Sequence, residues 1–409
     1  MADRTVAEHL AAVLADVRPL PPVLLPLDEA LGLVAAAELA CRVDLPGFDN
    51  SAMDGYAVHA ADLTGASATA PIRLPVVADL AAGDAPDRPI GRGEAARIMT
   101  GAMLPDGPDT VVKVEDTDAG MPLVSVLVAT PVGTSIRRRG EDLPAGAPVL
   151  AAGTMLTARH LGLLAAAGHA EVLVHPRPRV AVVSTGAELI PPGEPVSPGR
   201  IHDSNSHLLA AAVEAAGGCA AYRGSIGDHP AEVRDLLDRL AGETDLVITS
   251  GGVSMGVHDV VKAVLRERGE VDFVTVAMQP GKPQGFGALR SADGTTVPFF
   301  GLPGNPVSAF VSFEAFVRPV LRRLMGLEPA VPPTTRVRLA AALRSPAGRM
   351  QFARATLAAD PSRGRPLATP VSGQGSHFVA DLAAADALLL VPAEATLLQP
   401  GDEVESIVL

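Results

Sequence analysis

The chain has 409 residues, of which 48% are hydrophobic, and carries a formal net charge of −13. This length predicts about two to four domains, since a single hydrophobic core rarely serves so long a chain. The negative charge argues against a nucleic-acid partner, because phosphate backbones require a basic surface. The absence of an uninterrupted apolar stretch of membrane-spanning length argues against a membrane partner.

Cysteine and histidine are sparse and scattered. The two cysteines, Cys41 and Cys219, lie far apart and form no metal-spaced pair, which indicates a reduced, cytoplasmic protein. The ten histidines show no ligand spacing, so a protein-bound zinc site is not expected. The first 20 residues mix charges with a helical apolar periodicity, which predicts a surface helix and not a signal peptide.

Helical patterns at residues 6–16 and 158–167 flank a stretch rich in glycine, proline and aspartate turns. Within that stretch, strand-like runs occur at residues 72–77, 110–115 and 123–130. A β-rich domain inserted into another domain explains this order. We therefore expect a bipartite domain made of residues 1–45 and 137–178, interrupted by an inserted β-rich domain of residues 46–136.

Strand and helix patterns alternate through residues 179–327, which predicts a parallel sheet with helices on both faces. The expected strands are 180–184, 246–249, 273–277 and 297–300, and the expected helices are 204–216, 230–240, 260–268 and 307–325. After a proline-rich linker the helical period disappears, and residues 333–409 are expected to form a small β domain. The predicted fold class is a multidomain α/β protein with a central three-layer α/β domain and a C-terminal β-barrel-like domain.

Residues 249–259, with the sequence TSGGVSMGVHD, are the most informative segment. They follow a strand and precede a helix, so their backbone N–H groups can form an anion cradle. The acid at the start of the helix is well placed to hold a divalent cation beside a phosphate. Alone this pattern is weak, because many α/β turns use glycine only to reach positive φ.

Two further strands end in similar turns. Residues 180–184 lead into Thr185-Gly186-Ala187-Glu188, and residues 298–300 lead into the sequence GLPGNP. In the latter turn Asn305 is predicted to cap a helix that Pro306 begins. Three such turns at the carboxyl ends of strands are typical of the ligand crevice of an open α/β sheet. We predict a phosphorylated or oxyanionic ligand there.

Several other motifs allow both a structural and a functional interpretation. The acids Asp49 and Asp54 lie in the sequence PGFDNSAMDGYA, where Asx turns are favoured over ligand or metal binding. The sequence IRRRGED beginning at Ile136 fits either surface ion pairs or an arginine fork for an anion. Ser204 is expected to cap a helix, while Asp203 allows a wider role. Lys282 lies in a proline-glycine turn, where a solvated helical position does not explain it.

Taken in order, nine segments closely resemble the molybdopterin molybdenumtransferases, the family of bacterial MoeA and the E domain of gephyrin. They are DNSAMDGYA, RIMTGA, RRRGED, STGAEL, DSN, TSGGVSMG, PGKP, LPGNPVS and GQGSH. The resemblance extends from the N-terminal helix to the last β domain. It implies an elongated homodimer with four domains per subunit, whose active site is completed by residues 49–57 of the other subunit.

The resemblance also implies a reaction. Molybdenum from molybdate would be inserted into the dithiolene of adenylylated molybdopterin with release of AMP, in the presence of Mg²⁺, to form molybdenum cofactor. The attacking nucleophile is water or a molybdate oxygen. The soft sulfur ligands belong to the substrate, which fits a protein with two ordinary cysteines. Transient contacts with the adenylyltransferase and with cofactor-accepting apoenzymes are implied as well.

Site residues follow from the same motifs. The implied catalytic residues are Asp259, Lys282, Ser308, Arg354 (or Arg349), Ser376, Asp54 and Thr100. The implied binding residues are Thr249, Ser250, Gly251, Gly252, Ser254, Asp203, Glu188, Pro303, Gly304, Asn305 and Pro306. The acids implied to bind metal are Asp259, Asp228 and Asp142.

Thr275 and Gln279 stand where many members of the family have lysine. This departure motivates an alternative function, a non-catalytic protein that binds or carries molybdopterin or the finished cofactor. An assembly scaffold and a hydrolase of another nucleotide-linked compound are less favoured, because no partner-binding tail is recognisable and the flanking domains match the transferases.

Overall fold

The computed structural model describes residues 3–227, 229–252, 260–268, 271–291, 294–359, 364–371 and 373–409. The chain forms two compact units. The first contains Met1–Val23, Gly32–Ala36 and Leu173–Leu409, and the second contains Leu24–Leu31 and Ala37–Val172. Within the described ranges, no helix combines the length and the apolar character needed to cross a bilayer.

The described residues form eight α-helices, which are α1 (Val6–Leu14), α2 (Ala158–Ala166), α3 (Asn205–Ala215), α4 (Pro230–Glu243), α5 (Val260–Arg268), α6 (Pro306–Ser312), α7 (Arg318–Leu324) and α8 (Val379–Ala383). Short 3-10 turns occupy Leu27–Glu29, Ala60–Leu63 and Val114–Asp116. Helix α1 begins with a capping box, in which Thr5 Oγ1 accepts from Glu8 N at 3.2 Å and Glu8 Oε2 accepts from Thr5 N at 2.8 Å.

The second unit is built on a five-stranded sheet. Its strands are β1 (Gly55–Val58), β2 (Ile72–Leu80), β3 (Ala95–Ile98), β4 (Thr110–Lys113) and β5 (Leu123–Val126), in the order β4-β1-β3-β2-β5. Asn50–Ser51 and Ile136–Arg137 pair as a separate antiparallel two-stranded sheet. One face buries Tyr56, Leu74, Val112 and Val124 in a common core. The β-rich character expected for this stretch is confirmed.

The first unit contains a six-stranded sheet of β6 (Arg179–Thr185), β7 (Cys219–Ile226), β8 (Leu246–Ser250), β9 (Val271–Thr275), β10 (Pro283–Arg290) and β11 (Thr296–Leu302). The order is β7-β6-β8-β11-β10-β9. One face packs on α3, α6 and α7 through Val180, Val182 and Ile248. The other face packs on α4 and α5 through Ala181 and Val183. The alternation of buried side chains along β6 thus produces the predicted three layers.

The sheet differs from the expectation at one end. Strands β6, β7, β8 and β11 are parallel, whereas β9 and β10 run antiparallel to their neighbours. Neither β7 nor β10 is evident in the sequence. Strand β7, with the sequence CAAYRGSI, lies at the sheet edge and contains a single β-branched residue, and β10 contains Pro283, Gly285 and Gly287, which normally weaken strands.

The helix expected over residues 307–325 is interrupted. Helices α6 and α7 are separated by a π-helical turn at Phe313–Val317, all of whose residues are buried. Pro319 has no N–H to donate to the preceding turn, which favours a break in the regular hydrogen-bond pattern. Phe313 and Phe316 are therefore directed into the core shared with the sheet.

The C-terminal region forms a closed barrel of five strands, β12 (Thr335–Leu339), β13 (Met350–Ala358), β14 (Leu367–Pro370), β15 (Ala387–Val391) and β16 (Glu403–Val408). Pairing of β13 with β15 closes it. A short strand, Met278–Gln279, pairs in parallel with the start of β13.

The remaining strands of the described residues are short. They are Val23–Pro26, Val34–Ala35, Leu39–Ala40, Pro148–Leu150, Glu171–His175, Leu189–Ile190, Ile201–His202, Leu343–Arg344 and Leu397–Leu398.

Candidate functional site

A cavity of about 690 Å³ lies at the carboxyl ends of β6, β8 and β11. The three polar turns singled out in the sequence all contribute to it, together with the start of α3 and a loop of the barrel. Its described lining comprises Ser184, Thr185, Gly186, Glu188, Leu189, Ile201, His202, Asp203, Ser204, Asn205, Gly227, Val233, Ser250, Gly251, Gly252, Val260, Val261, Pro283, Pro303, Gly304, Asn305, Pro306, Ser308 and His377.

Asp203 is 5% exposed and is hydrogen-bonded to the carboxyl end of β6. Its Oδ1 accepts from Ser184 Oγ at 2.7 Å and from Ser206 N at 3.0 Å. The second bond satisfies the start of α3, so Asp203 provides the cap that was predicted for Ser204, whose side chain makes no capping bond. Glu188 lies in the same lining with its side chain exposed.

The glycine-rich turn after β8 is held by hydrogen bonds to α3 and to the turn after β11. Ser250 Oγ accepts from Asn205 Nδ2 at 2.8 Å and donates to Pro303 O at 3.2 Å. The amide of Gly251 donates to Leu302 O at 3.0 Å, so this N–H is committed to the fold and does not serve an anion cradle. Thr249 is buried behind the cavity, and its Oγ1 has no hydrogen-bond partner within the described ranges.

Gly251 and Gly252 adopt φ values of +94° and +67°. A Cβ at Gly251 would lie 2.6 Å from Thr185 O and 2.8 Å from Thr185 Oγ1. Both the backbone conformation and the close approach of the first turn therefore require glycine. The second turn is packed directly against the first.

The third turn joins the cavity to the barrel. Asn305 Nδ2 donates to Ser376 Oγ at 3.0 Å, and Val307 N donates to Ser376 O at 3.2 Å. The side chain of Asn305 therefore holds the barrel loop and makes no capping bond to α6, contrary to the expectation. Pro306 begins α6 as predicted, and Ser308, two residues later in the same helix, also lines the cavity.

Two predicted cations are engaged elsewhere. Lys282 Nζ lies 3.2 Å from Asp3 Oδ2, with both side chains partly exposed. Arg354 is 1% exposed, and its guanidinium donates to the carbonyl oxygens of Phe378 at 2.9 Å, Gly375 at 3.1 Å and Gly373. Burial lowers the pKa of Arg354, an effect opposed by the charge of Asp381. Neither side chain belongs to the cavity lining given above, and their direct contacts with ligand stay predictions.

Asp54, Thr100 and Asp142 lie in the second unit. Asp54 Oδ1 accepts from Thr100 N at 2.7 Å and from Thr100 Oγ1 at 2.8 Å, and these bonds lower the pKa of Asp54. The arginines that precede Asp142 in the sequence form ion pairs with carboxylates of the same unit. Arg138 donates to Asp49 Oδ2 at 2.6 Å, and Arg139 donates to Asp44 Oδ2 at 2.5 Å.

Three predicted site residues, Asp228, Ser254 and Asp259, lie outside the described residues. Among the residues that the structure does describe, no group of three or more histidine, cysteine, aspartate or glutamate side chains is arranged to hold a metal. The predicted metal ligands therefore stay predictions.

The described lining contains two carboxylates and two imidazoles, of His202 and His377, but no lysine or arginine. Its other polar groups are hydroxyls, amides and backbone atoms, which suit a phosphorylated or oxyanionic ligand. The sequence motifs gave no individual role to Asn205 or His377, although both are motif residues. Asn205 ends the motif DSN and His377 ends the motif GQGSH.

Three family models match successive parts of the chain. Residues 4–168 match the MoeA N-terminal region (domain I and II), residues 181–323 match a probable molybdopterin binding domain, and residues 336–409 match the MoeA C-terminal region (domain IV). The fold and the cavity thus define a protein of the molybdopterin-binding class.

Curated relatives are similar over almost the whole chain. A protein of Mycobacterium tuberculosis named molybdopterin molybdenumtransferase 2 is 45% identical over 98% of both chains, and molybdopterin molybdenumtransferase 1 of the same organism is 36% identical over 98% of both. A crystal structure of a molybdopterin biosynthesis MoeA protein from Pyrococcus horikoshii superposes with a TM-score of 0.84 at 33% identity, covering 100% of this chain and 99% of the other. The chain belongs to the MoeA family of molybdopterin molybdenumtransferases.

Proposed function

We propose that this chain is a molybdopterin molybdenumtransferase that inserts molybdenum from molybdate into the dithiolene of adenylylated molybdopterin and releases AMP. The observation that carries the proposal is the convergence of three polar turns on one cavity of about 690 Å³. Its support is membership of a family whose named relatives are transferases over almost their full length. Because those relatives are named as enzymes, the non-catalytic carrier is not favoured.

We assign the terminal phosphate end of the pterin to the turn around Ser250, Gly251 and Gly252, with Pro303, Gly304, Asn305 and Pro306 forming the opposite wall. Thr249 would support this turn from behind. The Ser250 hydroxyl and the Gly251 N–H donate within the fold, so these two residues would shape the end of the cavity that receives the phosphate. Ser308 and Ser376, at the start of α6 and on the barrel loop, would handle molybdate with Lys282, while Arg354 would serve the site by holding that loop. Ser254 would extend the binding turn.

The donors of the cavity also fit Mg²⁺. Asp203, Glu188 and the surrounding hydroxyls are oxygen ligands, and proteins commonly hold Mg²⁺ through one or two carboxylates together with substrate phosphates. We propose Asp259, Asp228 and Asp142 as the acids that hold it. When bound, Mg²⁺ would neutralise charge on the phosphates as the anhydride is cleaved. The bonds from Ser184 and Ser206 keep Asp203 oriented toward this end of the cavity.

We further propose a homodimer in the cytoplasm, with a composite site to which Asp54 and Thr100 come from the other subunit. Each subunit would be divided into residues 1–45 plus 137–178, 46–136, 179–327 and 333–409. Transient contacts with the adenylyltransferase and with apoenzymes that accept the cofactor would complete its partners.

The direct test combines purified protein, adenylylated molybdopterin, Mg²⁺ and molybdate. We expect molybdate-dependent AMP release and activation of a molybdenum-dependent apoenzyme, both abolished by Asp259→Ala. Tight binding of the pterin without either product would contradict the proposal and establish a carrier. In that case Gln279→Lys would be the next variant to assay.

A mixed dimer tests the composite site. Subunits carrying Asp54→Ala and Gly251→Ala, co-expressed with different affinity tags, can be purified as heterodimers. If residue 54 serves the other subunit's cavity, one of the two sites contains no substitution, and about half of the wild-type AMP release returns. Each homodimeric variant is the control and should be inactive. A heterodimer as inactive as its parents would place both residues in the same subunit's site.

Asp3→Asn tests the role of Lys282. The Asp3–Lys282 pair is half-exposed, so its loss should change stability by less than about 1 kcal/mol. If Lys282 binds molybdate, removing its competing carboxylate should lower the KM for molybdate severalfold while leaving the KM for the pterin unchanged. Asp16→Asn, an exposed substitution elsewhere on the N-terminal segment, is the control. An unchanged KM for molybdate would argue against a role of Lys282 in binding it.

A further inference from the structure

We infer that His377 is a substrate-contacting residue of the cavity and that Arg354 acts on the reaction only through it, by holding the barrel loop that presents the imidazole. The inference rests on the proposed function. We refer to the segment from Gly373 to Phe378 as the barrel loop.

The need for such a residue follows from the charge of the cavity. An anionic ligand is stabilised by N–H donors or cations. The described lining contains the carboxylates of Glu188 and Asp203 but no lysine or arginine. Its two imidazoles differ in availability. His202 Nε2 lies 2.9 Å from Glu194 O and is hydrogen-bonded there.

His377 is the available imidazole. It lines the cavity with an exposed side chain, and its ring makes no hydrogen bond to any residue that the structure describes. The ring packs against Phe378 with 4.3 Å between centroids and an interplanar angle of 40°. This contact restricts the imidazole while leaving its ring N–H free to donate to a ligand oxygen.

The barrel loop is anchored on both sides of this ring. Ser376 is held by Asn305 and by the amide of Val307, as described above. A Cβ on Gly375 would lie 2.8 Å from Phe378 Cε2, and one on Gly373 would lie 2.8 Å from Phe378 Cδ2. The glycines therefore leave room for the Phe378 ring to lie against the loop, although this ring is 42% exposed, and its contact with His377 restricts the imidazole.

Arg354 closes the loop from within the barrel. Its planar guanidinium reaches the carbonyl oxygens of Gly373, Gly375 and Phe378, which lie before and after His377. Arg354 is 1% exposed and is not part of the described cavity lining. Lysine carries its donors on one nitrogen and cannot reproduce this fork. Arg354 is thus a positioning residue whose geometry matters, not its charge.

The test compares Arg354→Lys, His377→Ala and the double variant by kcat and by KM for molybdate and for adenylylated molybdopterin. Loss of a hydrogen bond to a charged group predicts that His377→Ala lowers kcat/KM about tenfold or more. Arg354→Lys should lower it by a similar factor despite retaining the charge. The double variant should be no worse than the more impaired single variant, because both changes remove the same contact.

Arg344→Lys, on an exposed arginine of the same barrel region, is the matched control and should leave all constants unchanged. If Arg354→Lys does not fold, Gln374→Ala is the second variant, since Gln374 Nε2 holds the loop more lightly through Val371 O at 3.0 Å. Full activity of Arg354→Lys would overturn the positioning role. Multiplicative effects in the double variant would show that the two residues act independently and would overturn it as well.

Binding separates this inference from the proposed function. If the unaltered protein releases no AMP, the proposed reaction is wrong, but calorimetric titration with adenylylated molybdopterin still tests the contact. His377→Ala should then weaken binding about tenfold. Unaltered binding and unaltered kcat/KM in His377→Ala would overturn the contact itself.

Discussion

Gly251→Ala is expected to abolish AMP release while leaving most of the fold in place. At φ = +94° alanine is strained, and its Cβ would lie 2.6 Å from the main-chain oxygen of Thr185. The first two turns of the cavity must then separate, which displaces Ser250 and its bonds to Asn205 and Pro303. Misplacement of binding groups by about 1 Å can cost on the order of 100-fold in rate, so we expect a loss of at least that size in kcat/KM.

Gly242→Ala is the matched control. Gly242 lies in the last turn of α4, has ordinary φ, and no described atom lies within 4 Å of a Cβ built on it. Alanine there should leave activity unchanged and stabilise the helix slightly, by up to about 1 kcal/mol. The measurement is AMP release beside far-UV circular dichroism. A Gly251→Ala protein with wild-type kcat/KM would show that the packing of the two turns does not matter for the site.

His9→Phe is expected to make the protein more resistant to acid. His9 is 1% exposed on α1, packs edge-on against Phe316 at 4.7 Å, and neither ring nitrogen has a hydrogen-bond partner within the described ranges. Burial, aided by the charge of Arg4, lowers the pKa of His9 from 6.5 to about 4. The imidazole is therefore neutral in the folded protein over a range where it is protonated when unfolded.

The sign follows from proton binding. Between pH 6.5 and about 4 the unfolded chain binds the extra proton, so the wild type loses stability as the pH falls through this window. The loss from this group is on the order of 3 kcal/mol at most. Phenylalanine cannot be protonated, so the difference in melting temperature between variant and wild type should widen from pH 7 to pH 5.

Far-UV circular dichroism is the suitable readout, because the chain has no tryptophan. His229→Phe replaces an exposed imidazole and should leave the acid sensitivity in place. A melting-temperature difference that stays constant across pH would mean that His9 does not become charged on unfolding in this range. Carboxylates contribute to acid unfolding in both proteins and cancel in the comparison.

The fold class was predictable because periodicity encodes it. The alternation of short apolar runs with helical patterns in residues 179–327 predicted three layers, which the two faces of β6 confirm. Edge strand β7 escaped detection because it has only one β-branched residue, and β10 escaped detection because its proline and two glycines are typical of turns. Because β10 was missed, the antiparallel end of the sheet was missed as well.

The candidate site was predictable as a place and less so as a set of contacts. The turns after β6, β8 and β11 do converge, as their position at strand ends implied. The sequence could not show that Asp203 caps α3 in place of Ser204, or that Asn305 holds a residue 71 positions away instead of its own helix. Such choices depend on which acceptor the folded backbone brings near, and local propensity does not contain that information.

The short strand Met278–Gln279, which pairs with Met350–Gln351, makes the barrel a poor candidate for independent exchange or removal. A chain ending before residue 333 would leave an unpaired edge beside Lys282 and an amide of Asn305 without its acceptor. Chimeras between relatives should therefore transfer the barrel together with residues 278–279 and the turn at 301–306. Any exchange of this domain between such proteins would be constrained in the same way, because the strand pairing and the Asn305–Ser376 bond both join the barrel to the sheet domain.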